Sequence, residues 1–253
     1  MWGFRRAIGA IAAATLLGRA PPSLGQLDEI RFGEWTKTAR SFLDRPPYFL
    51  GREELLALPV PPPPANGSAQ VRAELDELLA LQAGRTRAQQ GSIEAHREYA
   101  AVCQAILRRV HADGVPAPRT RALLRHVEQD ASLAVFHAKK RFGRARPHQL
   151  EPRLRPCIAV PGHPAYPSGH ALQGYLVARV LALIFPERRD ELAAAGALIG
   201  REREIAGLHY PSDSAASRAL GDALFARLES NPRFVAEVDA ARSEWPGSAP
   251  SLR

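Results

Sequence analysis

Apolar residues recur at helical spacing along most of this chain. After Ser68, which can cap a helix, Val71 and four leucines ending at Leu81 recur at helical spacing. The same spacing predicts five further helices, over residues 93–112, 119–142, 168–185, 188–206 and 211–228. Asn231 and Pro232 predict the cap and first turn of a short last helix. No strand alternation persists and no repeat is present, so the pattern predicts an all-α fold with a single compact helical-bundle domain.

The first 20 residues have the layout of a secretory signal peptide. Arg5 and Arg6 precede a short apolar run, and Ala20 is a small residue at which cleavage is expected, with Gly25 as an alternative. An uncleaved membrane anchor and a simple N-terminal helix are the other interpretations, and the paired arginines also suit a twin-arginine export route. No later segment has 18 uninterrupted apolar residues. We therefore expect a periplasmic or secreted protein with no membrane span in its mature chain.

Proline marks the next part of the chain. Residues 21–66, which include a proline-rich run at 59–64, predict an irregular lead-in, because proline is excluded from helix interiors. The helical domain is then expected over 67–245, with a tail at 246–253. Cys103 and Cys157 could form a disulfide in an exported protein, and two separately buried thiols are the alternative. The formal net charge of +8 favours anionic partners such as phosphate esters, nucleic acid or acidic membrane surfaces, without separating them.

Three short segments carry groups that suit phosphate chemistry, and the first two are cationic or rich in backbone donors. Lys139 and Arg146 would share one face of the third predicted helix if it continued to Pro147, because seven residues make two turns. Ser168 can cap the helix that follows, and Gly169 allows close backbone approach to an anion at that helix end. Each feature alone is also explained by an ordinary helix terminus, so neither segment is decisive by itself.

The third segment runs from Arg203 to Asp213 and contains the most suggestive pair. Asp213 would lie in the first turn of a helix beginning at Pro211, where its carboxylate could hold the Nδ1–H of His209 and leave Nε2 basic. A second histidine, His170, could act as the general acid. Phosphoryl transfer mainly needs fixed cations and backbone N–H donors around the equatorial oxygens. The three segments together therefore indicate a metal-independent phosphatase.

These spacings resemble the signature of a known superfamily, that of phosphatidic acid phosphatase type 2 and the vanadium haloperoxidases. The matching elements are Lys139-x6-Arg146-Pro147, Pro167-Ser168-Gly169-His170 and Arg203-x5-His209-x3-Asp213. Within that superfamily the chain is similar to the class A bacterial non-specific acid phosphatases, whose lead-in and last helix resemble residues 61–70 and 231–245. The resemblance covers roughly residues 44–245. It implies a helical bundle that hydrolyses phosphomonoesters in the periplasm at acidic pH, without metal or cofactor.

The resemblance also implies a role for each site residue. His209 would attack phosphorus and form a phosphohistidine, Asp213 would orient it, and His170 would protonate the leaving alkoxide and later help to activate water. The phosphate oxygens would be held by five residues, Lys139, Arg146, Ser168, Gly169 and Arg203. Protonation of His170, favoured by the charge of bound phosphate, gives the acid optimum a physical reason. The expected partners are small-molecule phosphate esters rather than nucleic acid, and a homo-oligomer is left open.

One position departs from the family, which normally has Ser immediately before Arg203, where this chain has Glu202. Its carboxylate could pair with Arg203 and compete with substrate, or pair with Arg201 and point away. The second outcome is reasonable, because neighbours on a helix diverge by about 100°.

Two other enzyme classes would use the same oxyanion pocket, a vanadate-dependent haloperoxidase and a lipid-phosphate phosphatase. The features at both ends of the chain argue against the first, and the lack of spanning helices argues against the second. Pocket-lining roles for His137, His148 and His163, which are close in sequence to the three segments, also stay open.

Overall fold

The computed structural model describes residues 24–110 and 117–245, and these fold almost entirely into helices. The α-helices in chain order are α1 (Leu24–Glu29), α2 (Lys37–Ser41), α3 (Arg52–Leu56), α4 (Ala69–Ala83), α5 (Arg87–Ala95), α6 (Tyr99–Leu107), α7 (Pro118–Phe142), α8 (Pro147–Leu150), α9 (Gly169–Ile184), α10 (Arg189–Ile205), α11 (Pro211–Glu229) and α12 (Pro232–Arg242). Within the described ranges no strand forms, and one isolated bridge joins Arg31 to Arg144. The predicted all-α class is confirmed. The predicted signal peptide and tail lie outside the described residues.

The centre of the bundle is α9, which packs against α6, α7, α10 and α11. Its side chains Leu176, Val180 and Ile184 are fully or almost fully buried. The closest approach is to α10, where a Cβ atom placed on Gly174 would lie 2.6 Å from the carbonyl oxygen of Gly196. Only glycine fits at such a crossing, so the two backbones touch directly and fix α10 against α9. No helix in the described part of the chain is long and apolar enough to cross a membrane.

The helix predicted over 93–112 is wrong, because the chain forms two helices there. A capping box of Thr86 and Gln89 begins α5 earlier than the apolar pattern indicates, and α5 ends at Ala95. Glu98 has extended backbone angles and starts α6. The reason lies in the core, since Ile93 packs with Leu208 in one apolar cluster while the side chains of α6 join the main core. One straight helix could not serve both clusters.

The lead-in is more ordered than its prolines predict. It contains α1, α2 and α3, and its apolar side chains belong to the main core, Phe49, Leu50, Leu55 and Leu58 among them. Asp130 of α7 fixes this segment, because its carboxylate accepts hydrogen bonds from the backbone N–H groups of residues 48, 49 and 50 at 2.5, 3.0 and 3.1 Å. Proline excludes helix locally, but the sequence between the prolines still packs on the bundle.

The predicted shared face of Lys139 and Arg146 is also wrong. The helix α7 ends at Phe142, because Gly143 adopts the left-handed conformation (φ 58°) that terminates helices. Arg146 therefore lies beyond the helix, and Pro147 begins the short α8 instead of ending α7.

Cys103 and Cys157 are both free thiols in the structure. Cys103 packs against the main core, whereas Cys157 packs against the separate cluster that contains Ile93 and Leu208. The structure therefore follows the alternative of two separate thiols.

Candidate active site

The predicted site residues meet where α7 ends and α9 and α11 begin. The ammonium group of Lys139 reaches the loop that precedes α9, and the N–H of Ser168 donates to the backbone carbonyl of Asp213 at 3.2 Å. From the other side, Arg146 contacts His209. Three segments that are distant in sequence thus form one buried cluster.

The His209–Asp213 pair has the geometry of an oriented base. Nδ1 of His209 lies 2.9 Å from Oδ2 of Asp213, which also accepts the N–H of Tyr210 at 3.1 Å. The second carboxylate oxygen accepts a hydrogen bond from Arg144 at 2.5 Å. Burial alone would raise the pKa of Asp213, but Arg144, His209 and the N–H of Tyr210 together lower it to about 2. The carboxylate is therefore ionised and holds the imidazole with Nδ1 protonated.

The other ring nitrogen of His209 faces Arg146. Nε2 accepts a hydrogen bond from NH1 of Arg146 at 2.9 Å, which fixes Nε2 as the nitrogen with the lone pair. Burial and the charge of Arg146 hold the pKa of His209 well below its usual range, despite the opposing effect of Asp213. A neutral imidazole with its lone pair on Nε2 is the form that can attack an electrophile once that hydrogen bond is released.

Arg146 is fully buried and anchored mostly by backbone. Its guanidinium donates to the carbonyl of Leu208 at 2.9 Å and to that of His163 at 2.9 and 3.1 Å. Burial lowers its pKa to about 10, so it keeps its charge at neutral pH. It therefore places a fixed cation directly beside Nε2 of His209.

Lys139 supports the loop before α9. Its Nζ donates to the carbonyls of Pro164, Ala165 and Pro167 at 2.8, 3.0 and 2.6 Å. Burial first, and then Arg146, hold the pKa of this ammonium well below its usual range, with Asp213 opposing. The charge lies within the site, but in the structure its three donors all bind loop carbonyls.

The start of α9 presents backbone N–H groups. Ser168 caps the helix, its Oγ accepting from the N–H of Ala171 at 3.3 Å. Gly169 follows, and a side chain there would collide with the hydroxyl of Tyr99 on α6. The missing Cβ therefore lets Tyr99 lie against the helix end, next to the donors that attract an anion.

His170 lies at the outer edge of the cluster. Its Nε2 is 3.0 Å from the carbonyl oxygen of Arg97, so Nε2 carries the proton of the neutral ring and Nδ1 is left as the second nitrogen. Burial and the charge of Arg203 lower the pKa of His170 to about 3, with smaller effects from Lys139 and Arg146. An anion bound among these cations would raise that pKa again.

Arg203, in the last turn of α10, is buried and only partly bonded. NH2 donates to the carbonyl of Ile93 at 3.0 Å, whereas Nε and NH1 have no hydrogen-bond partner among the described residues. Unpaired buried donors are costly, and such a group is commonly a ligand contact. These unpaired N–H groups of Arg203 are therefore the strongest sign of an oxyanion position among the described residues.

Glu202 does not point away with Arg201, as expected from helix geometry. It accepts hydrogen bonds from Ser92 Oγ at 2.5 Å and from His96 Nδ1 at 2.8 Å, and its Oε2 lies 3.5 Å from NH2 of Arg203. Arg201 pairs with Glu77 and Glu204 instead. The expectation fails because α5 passes beside α10 at this level and offers two donors.

Sequence reasoning missed two contributors, Arg144 and Tyr99, and left open the role of His163, which contacts Arg146. Arg144 lies within the cationic segment, where the order of basic residues could have suggested it, but its partner Asp213 is 69 positions away. Nδ1 of His163 is 3.1 Å from NH2 of Arg146, so this histidine lines the site. His137 instead contacts Leu43 and Arg52 of the lead-in.

A cavity of about 490 Å³ between α9, α10 and α11 lies apart from this cluster. It is lined by small residues and arginines, and none of the eight predicted site residues borders it. No group of three or more His, Cys, Asp or Glu side chains in the described ranges could hold a metal ion. Fold and site together define an all-α protein with a buried cluster of cations, a histidine whose lone pair is on Nε2 and a helix N-terminus. These are the groups expected in an enzyme that acts on phosphate.

Comparison with known proteins agrees with that class. The PAP2 superfamily profile matches residues 130–229, which include all the predicted site residues. Two curated relatives named non-specific acid phosphatase are each 31% identical: that of Providencia stuartii over 74% of this chain and 79% of its own length, and that of Salmonella typhi over 73% and 78%. The chain therefore belongs to the PAP2 superfamily, and it is an acid phosphatase, a phosphoric monoester hydrolase.

Among solved structures, the fold is similar to one described as the first bacterial vanadium-dependent iodoperoxidase. The TM-score is 0.53 at 16% identity, over 68% of this chain and 54% of that one. At this identity the likeness concerns the helical fold alone.

Proposed function

We propose that this acid phosphatase works through a phosphohistidine on His209, without a metal ion. Nε2 would attack phosphorus, the bond to the ester oxygen would break, and protonated His170 would give its proton to that oxygen. Water would then attack the phosphohistidine while His170 takes a proton, and cleavage of the P–N bond would release phosphate. The neutral ring of His209 and the carboxylate of Asp213 support the first step.

The observation that carries this proposal is the contact of Arg146 with Nε2 of His209 at 2.9 Å. A phosphate oxygen bound by Arg146 would lie next to the lone pair that must attack phosphorus. The contact that binds the phosphate would therefore also align its phosphorus with Nε2. The oxygen would take over the NH1 donor and expose Nε2. Nε and NH1 of Arg203, the N–H of Gly169 and the Ser168 hydroxyl are proposed to hold the other oxygens.

Lys139 contributes its charge while it holds the loop before α9. Three fixed cations can supply the charge stabilisation for which other phosphatases use metal ions. We also propose that the substrates are small-molecule phosphate esters. The protein itself is proposed to be exported, in line with the predicted signal segment.

The test measures hydrolysis of p-nitrophenyl phosphate by wild type, by His209→Ala and by a control variant, His126→Ala. The ring of His126 stacks on Tyr48 in the N-terminal half of α7, away from the site. We expect His209→Ala to lose at least about a thousandfold in kcat and the control to keep wild-type kcat. Acid quenching with ³²P-labelled substrate should trap labelled wild type and no labelled variant. Equal turnover by His209→Ala would refute the nucleophile. Activity lost in EDTA and restored by a divalent ion would refute metal independence.

A further inference from the structure

Glu202 is a buried carboxylate that joins two helices beside the position proposed for phosphate. It extends from the last turn of α10 to α5, where Ser92 donates at 2.5 Å and Nδ1 of His96 lies at 2.8 Å. Ser92 and His96 are 110 and 106 positions away in sequence, and Glu202 as a residue is 3% exposed. A buried charge persists only when it is well paired, so these contacts determine where Glu202 can lie.

The same carboxylate also contacts NH2 of the Arg203 guanidinium group. NH2 is the only guanidinium nitrogen of Arg203 with hydrogen-bond partners in the described ranges, the Ile93 carbonyl at 3.0 Å and Oε2 of Glu202 at 3.5 Å. The guanidinium group is planar and rigid. Fixing NH2 therefore also fixes the directions of the N–H groups at Nε and NH1, which have no hydrogen-bond partner among the described residues and are left for a ligand.

The segment that binds Glu202, residues 92–99, also contacts the rest of the site. The carbonyl of Arg97, between α5 and α6, accepts from His170 at 3.0 Å, and the carbonyl of Tyr99 accepts from Gln173 at 3.0 Å. Tyr99 in turn lies against Gly169. The stretch 92–99 is thus bonded to α9 and α10 along one wall of the pocket, and Glu202 is the one acidic side chain in those bonds among the described residues.

We propose that Glu202 is a positioning residue for the proposed phosphatase reaction, holding Arg203 directly and through the α5–α6 segment so that the unpaired N–H groups of Arg203 can meet phosphate oxygens. This role of Glu202 rests on the proposed function, because that function supplies the phosphate substrate. The contacts of Glu202 are independent of it. The proposal predicts the direction in which phosphate affinity changes when Glu202 is removed. A carboxylate near a cation also cancels part of its charge, so a purely electrostatic role predicts tighter phosphate binding without Glu202, whereas a positioning role predicts weaker binding.

The experiment measures the affinity for inorganic phosphate by ³¹P NMR titration, which registers weak binding and needs no turnover. Glu202→Ala is expected to weaken binding about tenfold and Glu202→Gln less, because glutamine keeps the size and one acceptor. His96→Ala should shift affinity in the same direction. Glu204→Ala and Glu204→Gln are the matched controls, since Glu204 is a buried glutamate of α10 whose partners are Ser214 and Arg201.

A second arm places Glu202→Ala in an Arg203→Ala background. Because Glu202 acts through Arg203, the second substitution should change the affinity by less than about twofold there, a non-additivity typical of residues in one network. Additive losses, unchanged affinity, or tighter binding in Glu202→Ala would each overturn the proposal. If wild type bound phosphate but did not hydrolyse p-nitrophenyl phosphate, the proposed function would fail and the titrations would still decide the role of Glu202.

Discussion

Replacing Asp213 with asparagine removes one negative charge from the first turn of α11 and keeps the size of the side chain. The carboxylate is fully buried and accepts from Arg144, Tyr210 N–H and His209 Nδ1. An asparagine that turns its amide nitrogen to the ring would require Nδ1 as acceptor, which moves the proton to Nε2 and removes the attacking lone pair. We expect kcat to fall about 10³-fold or more, the scale seen when a triad aspartate becomes asparagine.

The same substitution has a cost in stability that depends on pH. The folded-state pKa of Asp213 is about 2, below its ordinary value of 3.8, so its ionised form stabilises the fold by about 2 kcal/mol at neutral pH. A depressed pKa means that this stabilisation is complete above pH 3.8 and disappears as pH falls towards 2. The buried pair with Arg144 is already contained in this figure, so we expect Asp213→Asn to cost about 2 kcal/mol at pH 7.

The assay is urea denaturation at several pH values, together with steady-state kinetics on p-nitrophenyl phosphate. The stability gap between wild type and Asp213→Asn should narrow by more than about 1 kcal/mol between pH 5 and pH 2.5. Asp222→Asn, on the exposed side of the same helix and paired with Arg179, is the control, and it should change stability by less than about 1 kcal/mol. A gap that stays constant with pH, or a loss in kcat below tenfold, would refute the reasoning.

Two further predictions concern the fold and the proton inventory. Gly174→Ala should destabilise the protein by about 2 kcal/mol or more, because the new methyl group would meet backbone of α10, whereas Gly91→Ala on α5, in open space, should stabilise it by about 0.5 kcal/mol; thermal unfolding distinguishes them. Phosphate binding should take up protons between about pH 4 and pH 6, because a bound anion raises the pKa of His170 from about 3, and calorimetry in buffers of different ionisation heat should lose that component in His170→Asn.

Local pattern was sufficient to predict the long helices. The apolar spacing placed α4, α7, α9, α10 and α11 within a few residues of their bounds, since each buries one continuous face. It failed where neighbouring apolar residues pack into different clusters, as Ile93 and Val102 do on α5 and α6. A hydrophobic pattern records that a side chain is buried but not which cluster it joins.

The site divides in the same way. His209 and Asp213 are four residues apart around a helix start, so sequence alone could place Nδ1 near the carboxylate. The contacts of Arg146 with His209 and of Glu202 with His96 join positions 63 and 106 apart, and no local rule links them. The error about Glu202 shows this most plainly, because the direction of a side chain on a helix depends on which other helix passes beside it.

The cations of the pocket are stabilised in a way that preserves their attraction for an anion. Lys139 donates to three carbonyls, Arg146 to two and Arg203 to one. Among the residues that the structure describes, a carboxylate contacts only Arg203 of these three, at 3.5 Å. A carbonyl dipole satisfies a donor without cancelling the charge, which a carboxylate would do. The ionised carboxylate of Asp213 instead binds Arg144 and Nδ1 of His209, on the side of the ring away from Nε2. Positive charge is thus concentrated beside the proposed nucleophile, His209, and negative charge behind it, which is the polarity that the proposed attack on a phosphate monoester requires.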